Sequence, residues 1–151
     1  MNRVEISAED GNTPEFEGKC RIFVENVLEY RGIHGWEVSI LFCGNDMIHA
    51  LNKQYRDKDS PTDVLTFSQL EDGPPQRHDG YVAAGDIVIS TEYIAEHAGE
   101  YGVTKDNELK RLLVHGILHL EGMDHATNDV SEKMLILQED ILNRVKGENI
   151  L

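Results

Sequence analysis

The stretch Thr104-Lys105-Asp106-Asn107-Glu108-Leu109-Lys110-Arg111-Leu112-Leu113-Val114-His115-Gly116-Ile117-Leu118-His119-Leu120-Glu121-Gly122 decides the fold. Thr104 is a good helix cap, and Asp106 and Glu108 put negative charge in the first turn, where the helix dipole favours it. Leu109, Leu112, Leu113, Val114, Ile117, Leu118 and Leu120 then leave almost no polar face. A helix apolar nearly all round belongs in the middle of a domain, so the other elements pack around it. Gly122 supplies the left-handed conformation that ends such a helix. Two imidazoles, His115 and His119, sit inside this buried element.

On the N-terminal side, Val4 and Ile6 alternate with charged residues as a short strand. Thr13-Pro14-Glu15 is expected to start a helix with the stripe Phe16, Cys20, Phe23, Val24, Val27 and Leu28, closed by Gly32. Trp36, Val38, Ile40 and Phe42 alternate strictly, a strand with one apolar face. Asn45 or Asp46 is expected to cap a second helix with Met47, Ile48, Leu51 and Tyr55 inward. A charged turn, Arg56 to Thr62, leads to a buried strand at Val64–Phe67. Gln69 to Ala83, with Gly73, Pro74, Pro75 and Gly80, reads as a loop or frayed hairpin. Gly85 to Ile89 is another strand, and Ser90 caps a helix with Ile94, His97, Ala98 and Tyr101 on its stripe, stopped by Gly102. After the central helix, Asp129 and Glu132 resemble a capping box before a last stripe of Val130, Met134, Leu137, Ile141 and Val145. Three or four strands interleaved with five helices imply an α+β (or α/β) domain, helices packed on a small mixed sheet.

The 151 residues fit one domain, 1–151. Hydrophobic residues at 40% and charged ones at 28% exclude a collagen, a coiled coil or a disordered tail. With 28 acidic and 14 basic residues the net charge is −14, wrong for a sequence-blind nucleic-acid coat but compatible with a local basic patch. No apolar run reaches the roughly 18 residues of a membrane span, and no signal-peptide pattern opens the chain. Cys20 and Cys43 fall at apolar positions without Cys-x-x-Cys spacing, as reduced core thiols do. A cytoplasmic protein with no membrane partner, expected as a monomer, fits these features.

His115 and His119 lie about 40° apart in azimuth and one turn apart in height, so both imidazoles can reach one ion. His125 is six residues beyond His119 and would point to the wrong side of a continuing helix; Gly122 lets the chain turn it back. Three neutral histidines with an open position are the ligand set of a catalytic zinc, one Zn2+ per chain, rather than of a closed structural site. The extended metalloprotease pattern His-Glu-x-x-His-x-x-Gly-x-x-His is matched except at its general base, where this chain has Gly116. The metal cradle thus resembles a zincin's central helix while the proteolytic base is missing. Glu121 and Asp124 are neighbouring carboxylates suited to orienting a ligand imidazole. The remaining histidines, His34, His49, His78 and His97, have no partner of this kind in the sequence.

The motif His115-Gly116-x-Leu118-His119-Leu120-x-Gly122-x-Asp124-His125 closely resembles that of the YbeY family. Asn52-Lys53-Gln54-Tyr55-Arg56 followed by Pro61-Thr62-Asp63-Val64-Leu65-Thr66-Phe67 resembles the family's second signature, and Gly85-Asp86-Ile87 its third. Order and spacing match along nearly the whole chain. One departure is Ser68, where a proline commonly follows the phenylalanine. The resemblance implies a metal-dependent, single-strand-specific endoribonuclease acting in ribosomal RNA maturation and ribosome quality control, with single-stranded RNA, ribosomal RNA and the ribosome as partners.

Cleaving a phosphodiester requires stabilising extra negative charge on phosphorus and activating an oxygen nucleophile. Zinc on three histidines can supply both. Arg56 is the natural cation for the phosphate, since a guanidinium offers two parallel hydrogen bonds, and the signature around it assigns it that catalytic role. Lys53, Arg56 and Lys58 form the densest basic cluster in the chain. Tyr55, Phe67 and Tyr81 are candidates to stack on an unpaired base. Two alternatives stand beside this reading: a zinc-dependent hydrolase of another substrate, and a non-catalytic, ribosome-associated RNA-binding module.

Overall fold

In the computed structural model, which describes residues 1–70, 73–124 and 132–151, the strict alternation at Trp36–Phe42 becomes the middle of a sheet. That strand, β2 (Trp36–Cys43), is flanked in parallel by β1 (Arg3–Ala8) and by β5 (Tyr81–Ser90). Strand β3 (Val64–Ser68) adds antiparallel to the far side of β5, giving the order β1-β2-β5-β3. The two-residue β4 (Arg77–His78) pairs back onto the start of β5, so the Pro/Gly segment ends as a hairpin. Five strands are described, one more than the pattern implied, because β4 is too short to leave a periodic signal. Among the described residues five helices complete the mixed α+β fold: α1 (Glu17–Tyr30), α2 (Asn45–Arg56), α3 (Thr91–His97), α4 (Lys105–Leu120) and α5 (Lys133–Arg144).

The period of two sorts the strand residues onto two faces. Ile40, Phe42, Ile87 and Ile89 join α1 and α4 in the main core, around Leu28, Leu109, Leu113, Ile117 and Leu118. Val88 and Leu65 face the other way, onto Ile48 of α2. The result is a mixed sheet covered by α1 and α4 on one face and by α2, over β3 and β5, on the other. Helix α4 is the hub, as its sequence implied. Its fully buried leucines and isoleucine each stabilise the fold by about 1.5–3 kcal/mol.

Helix boundaries show where long-range partners override local signals. Ser90 and Thr104 cap α3 and α4 as expected, accepting from the Tyr93 and Asn107 amides. Thr13 does not cap α1: Pro14 leads a turn first, and the helix starts after Phe16, whose ring packs edge-on against Phe42 at 4.9 Å. Asn45 does not cap α2 either, because its side chain is committed to α3 through Ser90 and Glu96. Gly44 takes the cap position, and Glu92 accepts the Asn45 amide from across the sheet end. Glu132 precedes α5 without a side-chain cap bond; Asp129 and Val130 lie outside the described residues.

Cys20 and Cys43 are both buried free thiols. Burial pushes Cys20 up to about 12 and Cys43 up to about 11. No helix among the described residues is long and apolar enough to cross a membrane.

Candidate functional site

Two glycines set the site by letting backbones come close. A side chain at Gly116 would press on Ile87 of β5, with a Cβ only 2.8 Å from the Ile87 Cδ1. Gly116 therefore faces the sheet, and α4 lies tight on β5. At Gly85, φ is +149° and a Cβ would stand 2.3 Å from the Phe67 carbonyl oxygen and 2.7 Å from Leu120. Only glycine lets the β3 end pass there. Ser68 pairs with Gly85 in register, so the strand runs through Ser68 itself.

This packing opens a cleft of about 640 Å³ between the C-terminal half of α4 and the outer strand β3. On one wall stand His115, His119, Gly122, Met123 and Asp124; on the other stand Arg56 and Val64–Ser68. The structure thus brings Arg56, from the second signature, to the same cavity as the two helical histidines.

The imidazoles converge. His115 Nε2 and His119 Nε2 are 2.9 Å apart. Two nitrogens about 2.0–2.1 Å from a tetrahedral zinc would be about 3.3 Å apart, a small rotamer adjustment away. The donor set and its convergence fit such an ion. Among the described residues no group of three metal-ligating side chains gathers, and His125 lies outside them. Gly122, with φ of +96°, ends α4 as expected: its amide returns to the His119 carbonyl and that of Met123 to Leu118.

Sequence reasoning missed Gln138. This buried residue of α5 places its Oε1 2.7 Å from His115 Nδ1. It lies on the inward stripe between Met134 and Ile141, where a polar residue was the available signal. Asn52 was missed too. It is buried, donates to the Ser60 carbonyl at 2.9 Å, and its own carbonyl accepts from Asp57 and Lys58. It thereby closes α2 just behind Arg56, with Asp57 left-handed at φ 59°.

Arg56 is exposed, donates to the Thr66 carbonyl at 2.5 Å and lies over the Phe67 ring at 5.3 Å. Tyr55, expected inward, is instead 56% exposed, with its edge on Phe67 at 5.3 Å. Of the stacking candidates Phe67 lines the cleft; Tyr81 is under Arg3 at the other end of β5. Lys53 and Lys58 are exposed beside the α2 end. Glu121 turns away from the cleft to form a paired contact with Arg31 at 3.0 and 3.2 Å. Elsewhere, His49 meets Asp59, His78 meets Glu37, and His97 donates from Nδ1 to the Tyr93 carbonyl of its own helix while stacking on the Tyr93 ring; His34 is exposed.

The profile of the family described as endoribonuclease YbeY matches residues 3–146. The chain belongs to the YbeY family. The YbeY of Treponema denticola is 46% identical over 128 residues, spanning 85% of this chain and 83% of that protein. That of Treponema pallidum is 42% identical over 142 residues (94% and 89%), and that of Persephonella marina 37% over 148 (97% and 95%). The fold is similar to the solution structure of a Thermotoga maritima protein, with a TM-score of 0.61 at 30% identity, covering 96% of this chain and 89% of that one. The YbeY match spans both walls of the cleft.

Proposed function

We propose that this YbeY-family chain is a zinc-dependent endoribonuclease that cuts single-stranded RNA in ribosomal RNA processing and ribosome quality control, in the cytoplasm. One observation carries the reading: a phosphate-shaped cation, Arg56, and two converging imidazoles share one cleft. His115, His119 and His125 hold one zinc ion. When bound, zinc supplies positive charge against the phosphate and a water acidified to a pKa near about 7.

The chain's own residues do the rest. The Thr66 carbonyl takes one donor of Arg56 and tethers its guanidinium at the cleft. The fork then presents further N–H groups to a phosphate oxygen, where they meet the charge that grows during cleavage. Phe67 forms the floor under the guanidinium and offers an apolar face to a base. An unpaired strand fits an open cleft at a sheet edge because its bases can splay around the scissile bond. Gly116, buried against Ile87, has no group to act as a base toward a peptide.

The test is a panel of unpaired RNA, duplex RNA and unstructured peptide, each with and without chelator. Cutting of unpaired RNA alone, abolished by chelator, is the expected result. Chelator-sensitive cutting of the peptide would overturn the reading in favour of another hydrolase; no cutting of any substrate by zinc-loaded protein would favour a binding module.

A further inference from the structure

Beside the Asp106–Lys110 pair, helix α4 carries a polar stripe of Glu108, Arg111, His115 and His119, at spacings of three, four and four. Helix α5 answers it with Gln138 and Glu139. Arg111 clasps Glu139 with two bonds, Nε to Oε2 at 3.0 Å and Nη2 to Oε1 at 3.1 Å, and its Nη1 meets Glu108 at 3.3 Å. Glu139 Oε2 also accepts from Gln138 Nε2 at 3.2 Å. Gln138 Oε1 then faces His115 Nδ1 at 2.7 Å.

These bonds have a direction that chemistry dictates. Arginine only donates, and an ionised carboxylate only accepts. Arg111 holds the Glu139 carboxyl below the usual carboxylate range, so it is the ionised form that faces Gln138. The amide must turn its NH2 toward Glu139 and its oxygen toward His115. An amide oxygen cannot donate, so His115 Nδ1 must carry the hydrogen. A neutral imidazole with hydrogen on Nδ1 has its lone pair on Nε2, the atom that points at His119.

We propose that Gln138, set by the Arg111–Glu139 pair, is a positioning residue that selects the Nδ1–H tautomer of His115 and aims its Nε2 lone pair into the cleft. The inference rests on the reading of His115 as a metal ligand, but it specifies how the protein prepares that ligand before any ion arrives. Gln138 does not touch substrate; it acts through His115. Being buried and packed, it also locks the ring plane, which limits the entropy lost when the ion binds.

The experiment uses the whole chain and three variants: Gln138→Leu, which keeps bulk and removes the acceptor; Gln138→Glu, which keeps it; and His119→Ala. Two readouts are taken. The first is the zinc dissociation constant from competition with a chromophoric chelator. Gln138→Leu should bind about 10–100-fold more weakly, as lost outer partners of metal ligands do, and Gln138→Glu should recover part of that loss, since it keeps an acceptor for His115 Nδ1 but gives up the donor to Glu139. The second uses no metal: nitrogen NMR of the apo-protein at about pH 8, where a free imidazole is neutral, reports the His115 tautomer. The Nδ1–H form should dominate in the unaltered protein and give way to the Nε2–H form in Gln138→Leu. Gln138→Leu with unchanged zinc affinity and an unchanged tautomer would overturn the proposal. If the unaltered protein binds zinc no better than His119→Ala, the metal reading fails instead, and the apo spectrum still decides the tautomer.

Discussion

His115, Gln138, Glu139, Arg111 and Glu108 are joined side chain to side chain across two helices, whereas Arg56, on the facing wall, is held by one carbonyl and one ring. The first wall is made from the buried hub of the fold; the second from a helix end, a loop and an outer strand. A metal site needs its donors fixed within tenths of an ångström before binding. A phosphate clamp needs reach, and an exposed arginine on a short tether has it. The difference teaches where damage should fall: on the α4–α5 wall it takes stability and metal together, and on the α2–β3 wall it takes chemistry alone.

The harshest test of that contrast is Gly116→Glu, which would restore the sequence pattern of a metalloprotease. The structure leaves no room for it, since even a Cβ meets Ile87 at 2.8 Å. Overpacking together with a buried unpaired carboxylate should cost more than about 4 kcal/mol and prevent folding. Circular dichroism and urea unfolding check this; a folded, stable Gly116→Glu would show that α4 is not pressed on β5. Next in size, His119→Ala should lose the zinc found by elemental analysis in the unaltered protein, and with it the stability that a bound ion adds. One tightly held equivalent surviving in the variant would remove His119 from the ligand set.

The smallest effect lies at the far end of the relay. The Arg111 hydrogen bonds hold Glu139 below the usual carboxylate range, so this group adds stability above its unfolded pKa near about 4.3 and loses it as the pH falls through the lower folded value. Burial raises Glu108, which acts in the opposite sense: its contribution is present at low pH and lost as the pH rises through the folded value. Glu139→Gln should therefore flatten the acid limb of stability below about pH 4.3. Half of the Glu139 side chain is exposed, and solvent screening keeps the difference under about 1 kcal/mol. Thermal midpoints across that range measure it, and an unchanged acid limb would show that the Arg111–Glu139 clasp adds nothing to folding.

The fold was legible where period and burial coincide. Trp36–Phe42 and the apolar α4 announced the sheet and its hub, because alternation and an all-round apolar helix have few other solutions. Thr13 and Asn45 do not cap their helices because distant groups, Phe42 for one and Ser90, Glu92 and Glu96 for the other, compete with local capping. At the site, the spacing of His115 and His119 showed the convergence directly. Gly116 was legible as a missing base, but its physical reason, the Ile87 side chain, lies on a strand some thirty residues away. Arg56 stood out chemically, as a guanidinium in the densest basic cluster, but its placement beside the histidines came from resemblance, since nothing in its own sequence neighbourhood says that β3 will carry it to α4. Gln138 stayed hidden because a lone polar residue on an apolar stripe has many explanations until its partner is seen.

The central claim is that both walls face one phosphate. Single-turnover cleavage of an unpaired RNA, at saturating protein and equal zinc content, tests it through Arg56→Ala and Arg56→Lys. Arg56→Ala should lose roughly 10²-fold, as for one lost transition-state donor, with partial recovery for lysine, which keeps the charge but not the fork. Fold and zinc content should be unchanged, because an exposed helix-end residue contributes little to either. Equal rates for the unaltered protein and Arg56→Ala would contradict the account and leave Arg56 an ordinary surface arginine.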